Sequence, residues 1–163
     1  MTYEEKLKDL RRTNSQINEL KKEALKISEN IFDDFRHHIF SKYQQLESFG
    51  WTQYTPYFND GEACIFYANT DYLIINGEYA EDSNWFNKEN VINWGQWNRD
   101  LKIHEGRVED PNTNYNEELV NAYNEIVSFL SNFDNDFYLS KFGDHAEVIV
   151  TKTGVNISDC DHD

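Results

Sequence analysis

The sequence predicts an α+β fold: a long N-terminal helix, then an antiparallel hairpin-built sheet with a second helix (about 114–133) packed on one face. Three observations predict it. All seven glycines and both prolines fall at or after residue 50, so positions 1–48 carry no helix breaker. Asp60-Gly61 and Asn76-Gly77 sit between aromatic or β-branched runs, the usual signature of hairpins. Strand-like and helix-like stretches are grouped, not alternated as in crossover units, so helices over one face of an antiparallel sheet are expected.

Residues 1–48 are rich in Glu, Lys, Leu, Arg and Gln, and Leu7, Leu10, Ile17, Leu20, Ala24, Ile27, Ile31, Phe35 and Ile39 recur at helical spacings. They form one apolar stripe of an amphipathic helix. A continuous helix of about 46 of these residues is a rod of roughly 69 Å, long enough to overhang a domain of 163 residues. Either the Thr13-Asn14-Ser15 cluster breaks it, with Thr13 and Gln16 as a capping box, or residues 1–30 pair with a second copy as a coiled coil. Asn14 in the seam weighs against the latter. Aromatics thicken after residue 31 (Phe32, Phe35, Phe40, Tyr43), so that half is expected to pack on the body and fold with it as one domain.

From residue 49 the texture is strand and turn. Trp51 to Phe58 and Ala63 to Ala68 flank Asp60-Gly61; Tyr72 to Ile75 and Glu78-Tyr79 flank Asn76-Gly77. Pro56 places the first strand at an edge or near its end. A short helix is expected around 87–94. Asn114, with Glu117 after it, reads as the cap of the second helix, whose stripe is Leu119, Tyr123, Ile126, Leu130 and Phe133. Strands are then expected over Phe137 to Lys141, Ala146 to Thr151 and Val155 to Ile157, with turns at Gly143-Asp144 and 152–154.

The chain holds 15 basic and 30 acidic side chains, a formal charge of −15, and the surplus is unevenly placed. Residues 1–48 carry nine of each sign; residues 49–163 carry 6 basic and 21 acidic groups. A broad basic face for nucleic acid is excluded, and an anionic membrane surface is disfavoured on the same ground. With aromatics at 15 %, a disordered acidic chain is excluded too. No segment approaches the length of a transmembrane helix, the N-terminus lacks a signal-peptide core, and two cysteines without a CxxC pair form no disulfide framework or zinc site. A cytoplasmic protein is expected, with Cys64 buried in its apolar run and Cys160 in a polar tail.

Catalytic signals are weak. No nucleophile-elbow, phosphate-loop, dinucleotide-binding, zinc-protease or EF-hand pattern occurs. The adjacent His37 and His38 point about 100° apart on a helix and do not share an ion. The tail Ser158 to Asp163 collects three carboxylates, a thiol and an imidazole, but as a terminal segment it is a poor chelator. No cofactor, catalytic residue or metal ligand is assigned.

The leading expectation is a non-enzymatic acidic binding protein. It inhibits or sequesters a partner with a basic surface, such as a nuclease or other nucleic-acid-handling enzyme. An immunity protein or a phage or bacterial anti-defence inhibitor is of this kind. Carboxylates steer such an encounter and rigid aromatics supply anchor area. Tyr57, Asp60, Glu62, Glu78, Glu81, Asp82 and Trp85 cluster at expected hairpin ends and are the candidate contact residues. Two alternatives stand beside it. One is a metal-dependent hydrolase or small-ligand binder using His145 or His104 with nearby carboxylates. The other is a helix-mediated assembly protein, a homodimer through residues 1–30.

Overall fold

The computed structural model describes residues 2–58 and 60–161. Helix α1 runs unbroken from Tyr3 to Lys42, about 60 Å at 1.5 Å per residue. Thr2 caps it: the Thr2 side chain accepts from the Glu5 N–H while Glu5 accepts from the Thr2 N–H, a capping box at the chain start and not at Thr13. The expected break at Thr13-Asn14-Ser15 does not occur. Thr13 satisfies its hydroxyl inside the helix by donating to the Asp9 carbonyl at 2.9 Å. Phe32, Ile39 and Phe40 are buried in the body, and Phe35 stacks on Phe129 with ring centroids 3.7 Å apart.

A six-stranded antiparallel sheet follows, built on the central strand β1 (Ser48–Tyr54). One edge of β1 pairs first with β2 (Tyr67–Ala68) and then with β3 (Ile74–Ile75), and β4 (Glu78–Tyr79) turns back on β3. Asn76 and Gly77 make that turn with φ of 52° and 86°, the left-handed pair of a type I′ hairpin. A single 3₁₀ turn, Ala80–Asp82, leads out of β4. Asp60-Gly61 does not make the expected tight hairpin. The described residues between Tyr54 and Tyr67 form a loop from β1 to β2, and Cys64 within it is exposed, not buried. Pro56 halts β1 early, so the register is set farther back, at Tyr54↔Tyr67.

Strands β5 (Val91–Asn93) and β6 (Gln96–Asn98) run out from the body, and β7 (Ile103–Glu105) and β8 (Val108–Asp110) return. β5 pairs with β8 and β6 with β7, so the four are one two-stranded arm, interrupted where Trp94-Gly95 faces Gly106-Arg107. This replaces the helix expected around 87–94. The side chain of Asn112 anchors the arm's base, donating to the Asn84 and Asn87 carbonyls at 2.7 Å each.

Helix α2 spans Glu117–Leu130; Asn116, not Asn114, is its cap, accepting from the Leu119 N–H at 3.1 Å. Helix α3 spans Asn135–Phe142 where a strand was expected over Phe137 to Lys141. Asp134 caps it and Gly143, at φ 85°, ends it, so aromatics with strand preference serve here as the buried stripe of a helix. β9 (Ala146–Thr151) pairs along the other edge of β1, and β10 (Gly154–Asp159) completes the sheet.

All three helices cover the same sheet face. Phe49 and Trp51 of β1, Val148 and Val150 of β9, and Ile75 of β3 form one buried cluster with Phe32, Ile39, Ile126, Leu130, Phe137 and Phe142. Among the described residues no helix is long and apolar enough to cross a membrane.

Candidate functional site

Among the described residues no helix covers the opposite face of the sheet. Directly opposed residues of antiparallel strands share a face, so the register defines what this open side displays. One row reads Tyr79, Ile74, Gly50, Ile149, Asn156 across five strands. The next holds Thr52, Glu147 and Ser158, and beyond it Tyr54 opposes Tyr67.

Four tyrosines dominate this surface. Tyr54 and Tyr67 meet edge to face with centroids 4.8 Å apart, and the Tyr67 hydroxyl donates to that of Tyr54. Tyr72 stacks on Tyr79, again at 4.8 Å, and its hydroxyl donates to Asp82 at 2.6 Å. Each ring is locked by a neighbour while Tyr67, Tyr72 and Tyr79 keep over a third of their surface exposed. Two of the phenols are held as protonated donors: the hydrogen bond to Tyr54 pushes Tyr67 up to about 12, and that to Asp82 pushes Tyr72 up to about 12. Burial raises Tyr79, reinforced by the carboxylate of Glu147, and burial likewise raises the thiol of Cys160. A thiol held protonated beside Glu147 is a poor nucleophile.

The electrostatics are one-sided. None of the six strands contains a Lys or Arg, nor does any residue from 49 to 86. Beyond residue 112 the only cations are Lys141, lying against the Phe32 and Phe142 rings on the helix side, and Lys152 in the β9–β10 turn. Four of the six cations in residues 49–163 (Lys88, Arg99, Lys102, Arg107) lie on or beside the arm.

The seven residues chosen from sequence do not form one patch. Asp82 belongs to the open face through Tyr72, and Glu78 is exposed on β4 beside Tyr79. Glu81 turns toward the helix layer, accepting from the Tyr123 hydroxyl at 3.2 Å. Trp85 is half-buried, edge-on to Phe86, and packs against the core. Asp60 and Glu62 are exposed in the 55–66 loop, where Tyr57 stacks on His145 at 4.7 Å. Sequence reasoning missed Tyr54, Tyr67, Tyr72, Tyr79 and Glu147, which only the strand register brings together.

Among the described residues the histidines do not converge. His104 lies on the arm between Trp94 and Trp97, His38 is held by Glu125 at 3.0 Å, and His145 sits 3.8 Å from Asp144. Asp144 is occupied structurally, accepting from the Thr55 N–H and hydroxyl at 2.7 Å each. Burial alone would raise its carboxyl, but these bonds and that from the His145 N–H hold it below the usual range. Among the described residues no group of three or more His, Cys, Asp or Glu side chains is placed to hold a metal ion. In the acidic tail, the Cys160 N–H donates to the His145 carbonyl; His162 and Asp163 lie outside the described residues.

Comparison with protein-family models, with curated proteins and with solved structures finds no match to this chain.

Proposed function

We propose that the protein is a non-enzymatic binding protein that captures a partner with a basic surface, using the open tyrosine face of its sheet. The observation that carries this reading is the composition of that face: two interlocked pairs of tyrosines and Glu147 on a sheet whose strands hold no lysine or arginine. Tyrosine supplies large, rigid contact area with a hydroxyl at its tip, and it is favoured at the energetic centre of interfaces. The surrounding carboxylates accelerate encounter with a cationic partner and penalise anionic ones. Enzymes that handle nucleic acid carry such basic surfaces by necessity, so an inhibitor of the immunity or anti-defence kind is the reading we favour.

The test is affinity capture by the full chain from a lysate of its source cells, at low and at high salt, beside a Tyr67→Ala/Tyr79→Ala variant. A basic partner retained at low salt, released at high salt and lost by the variant supports the proposal. An acidic partner, or retention indifferent to both salt and the two tyrosines, overturns it.

A further inference from the structure

The first half of α1 is an amphipathic helix whose apolar side, among the described residues, packs against none of the core. The first apolar residue of α1 that packs against the core is Leu25. Before it, Tyr3 is 78 % exposed, Leu10 55 %, Ile17 45 % and Leu20 64 %. These residues, with Leu7 and Ala24, share one side of the helix. Their positions 3, 7, 10, 17, 20 and 24 are separated by 4, 3, 7, 3 and 4 residues. The spacing reads the same from either end. Its centre falls between Thr13 and Asn14, and with one of these filling the gap the mean step is 3.5, that of a left-handed coiled coil.

A stripe with a palindromic spacing maps onto itself when a second copy is laid against it head to tail. We propose that the chain is a two-fold dimer in which residues 3–24 of α1 pair antiparallel with the same segment of a second copy. The axis passes beside Thr13 and Asn14. Leu7 then lies level with Leu20 of the second copy and Leu10 with Ile17, each contact occurring twice as an isologous interface requires. The two Thr13-Asn14 pairs meet at the centre, and a single polar layer of this kind fixes register.

Two further observations favour this occupant and this direction. Where the stripe reaches the body, α1 and α3 enclose a cleft of about 300 Å³ floored by Ala24, Leu25 and Phe137. Antiparallel pairing brings Tyr3 of the second copy level with Ala24, at the mouth of that cleft, with its Glu5 level with Lys22 on the rim. The second observation is charge. Residues 2–24 hold six cations and five anions, so the segment does not repel itself, whereas residues 49–163 carry the entire −15. Parallel pairing would set two acidic bodies side by side. Antiparallel pairing holds them at opposite ends of a shared helical span of ~33 Å, well beyond the screening length of ~8 Å at physiological salt.

The test is the solution mass of the full chain at tens of micromolar, by sedimentation or light scattering, with directed cross-linking. Twice the chain mass is expected, and the Leu10→Asp/Ile17→Asp variant should run at the single-chain mass with its body still folded, melting somewhat lower because it has lost a native-state partner. In a Cys64→Ser/Cys160→Ser background, Asn14→Cys should oxidise to a cross-linked dimer by itself. Leu7→Cys should do so only when mixed with Leu20→Cys. A single-chain mass for the natural sequence, a dimer that survives Leu10→Asp/Ile17→Asp, or efficient self-cross-linking of Leu7→Cys would each overturn the proposal.

Discussion

The indole N–H of Trp51 donates to Oε1 of Gln53 at 2.9 Å, and both side chains are wholly buried at the centre of the sheet. The Gln53 amide then donates to the carbonyls of Tyr138 and Gly143, within and just after α3. One side chain thus joins the central strand to a short helix at two points and satisfies a buried tryptophan. Replacing it by leucine keeps the volume but strands the indole N–H and both carbonyls. Gln53→Leu should lower stability by about 2–4 kcal/mol, since several buried polar groups lose partners together. A denaturant midpoint equal to that of the natural chain would sink this account.

Gly50 marks the centre of the open face, and its lack of a side chain is a requirement. A Cβ there would run into the Val148 carbonyl oxygen and press on Cδ1 of Ile149 at 2.5 Å, while at Gly154 it would meet nothing. Gly50→Ala should cost about 1–3 kcal/mol by overpacking, with Gly154→Ala near neutral. Thermal melts of the two variants side by side check the contrast.

Some elements could be read along the chain because their signals are local. The breaker-free stretch of α1, the Asn76-Gly77 turn, the apolar stripe of α2 and the alternation of β9 each declare themselves within a few residues. The elements that escaped depend on context. Phe137, Tyr138 and Phe142 favour strand in isolation and become helical because Asp134 and Gly143 cap the segment and the core offers a helical berth. The arm hides its alternation among asparagines, and its two halves meet only by pairing across a 15-residue separation such as Asn93↔Val108. The tyrosine face was the least legible feature. Tyr54 and Tyr79 are 25 positions apart, and only register aligns them.

Alkaline pH should weaken the fold. Burial pushes Tyr123 up to about 12 and raises Tyr138 well above its ordinary value. Unfolded tyrosine ionises near ~10, so the contribution of these phenols is complete below that pH and is lost as pH rises through their folded values. Urea midpoints should hold steady up to about pH 9 and then fall, and Tyr138→Phe should flatten the fall while lowering the plateau. Phenolate absorbance rising fully near pH 10 without loss of structure would contradict this.

Glu125 governs the acid side. It accepts from His38 at 3.0 Å, Lys42 at 2.6 Å and Tyr43 at 2.8 Å, tying the end of α1 to α2. Burial alone would raise its carboxyl, but these three donors outweigh it and hold the value below the ordinary range. A depressed carboxyl stabilises above its unfolded value, and that contribution disappears as pH falls through the folded one. Glu125→Gln should therefore melt lower at neutral pH, and the gap to the natural chain should close in acid. Parallel melting curves at both pH values decide it.

The arm should be dispensable for folding. Val91 and Asp110 pair at its base, so excising 92–109 and closing the gap with a two-residue Asn-Gly turn leaves the body's core residues untouched. Trp94 and Trp97 are each more than half exposed, in contact with His104, and Arg107 lies 4.8 Å over the Trp94 ring. Because a lone two-stranded ribbon adds little stability of its own, the excised chain should keep its melting temperature. It should also lose most of the red-edge, iodide-quenchable part of its tryptophan emission and retain the more shielded emission of Trp51 and the half-buried Trp85. A collapse in melting temperature would show that the ribbon supports the body after all.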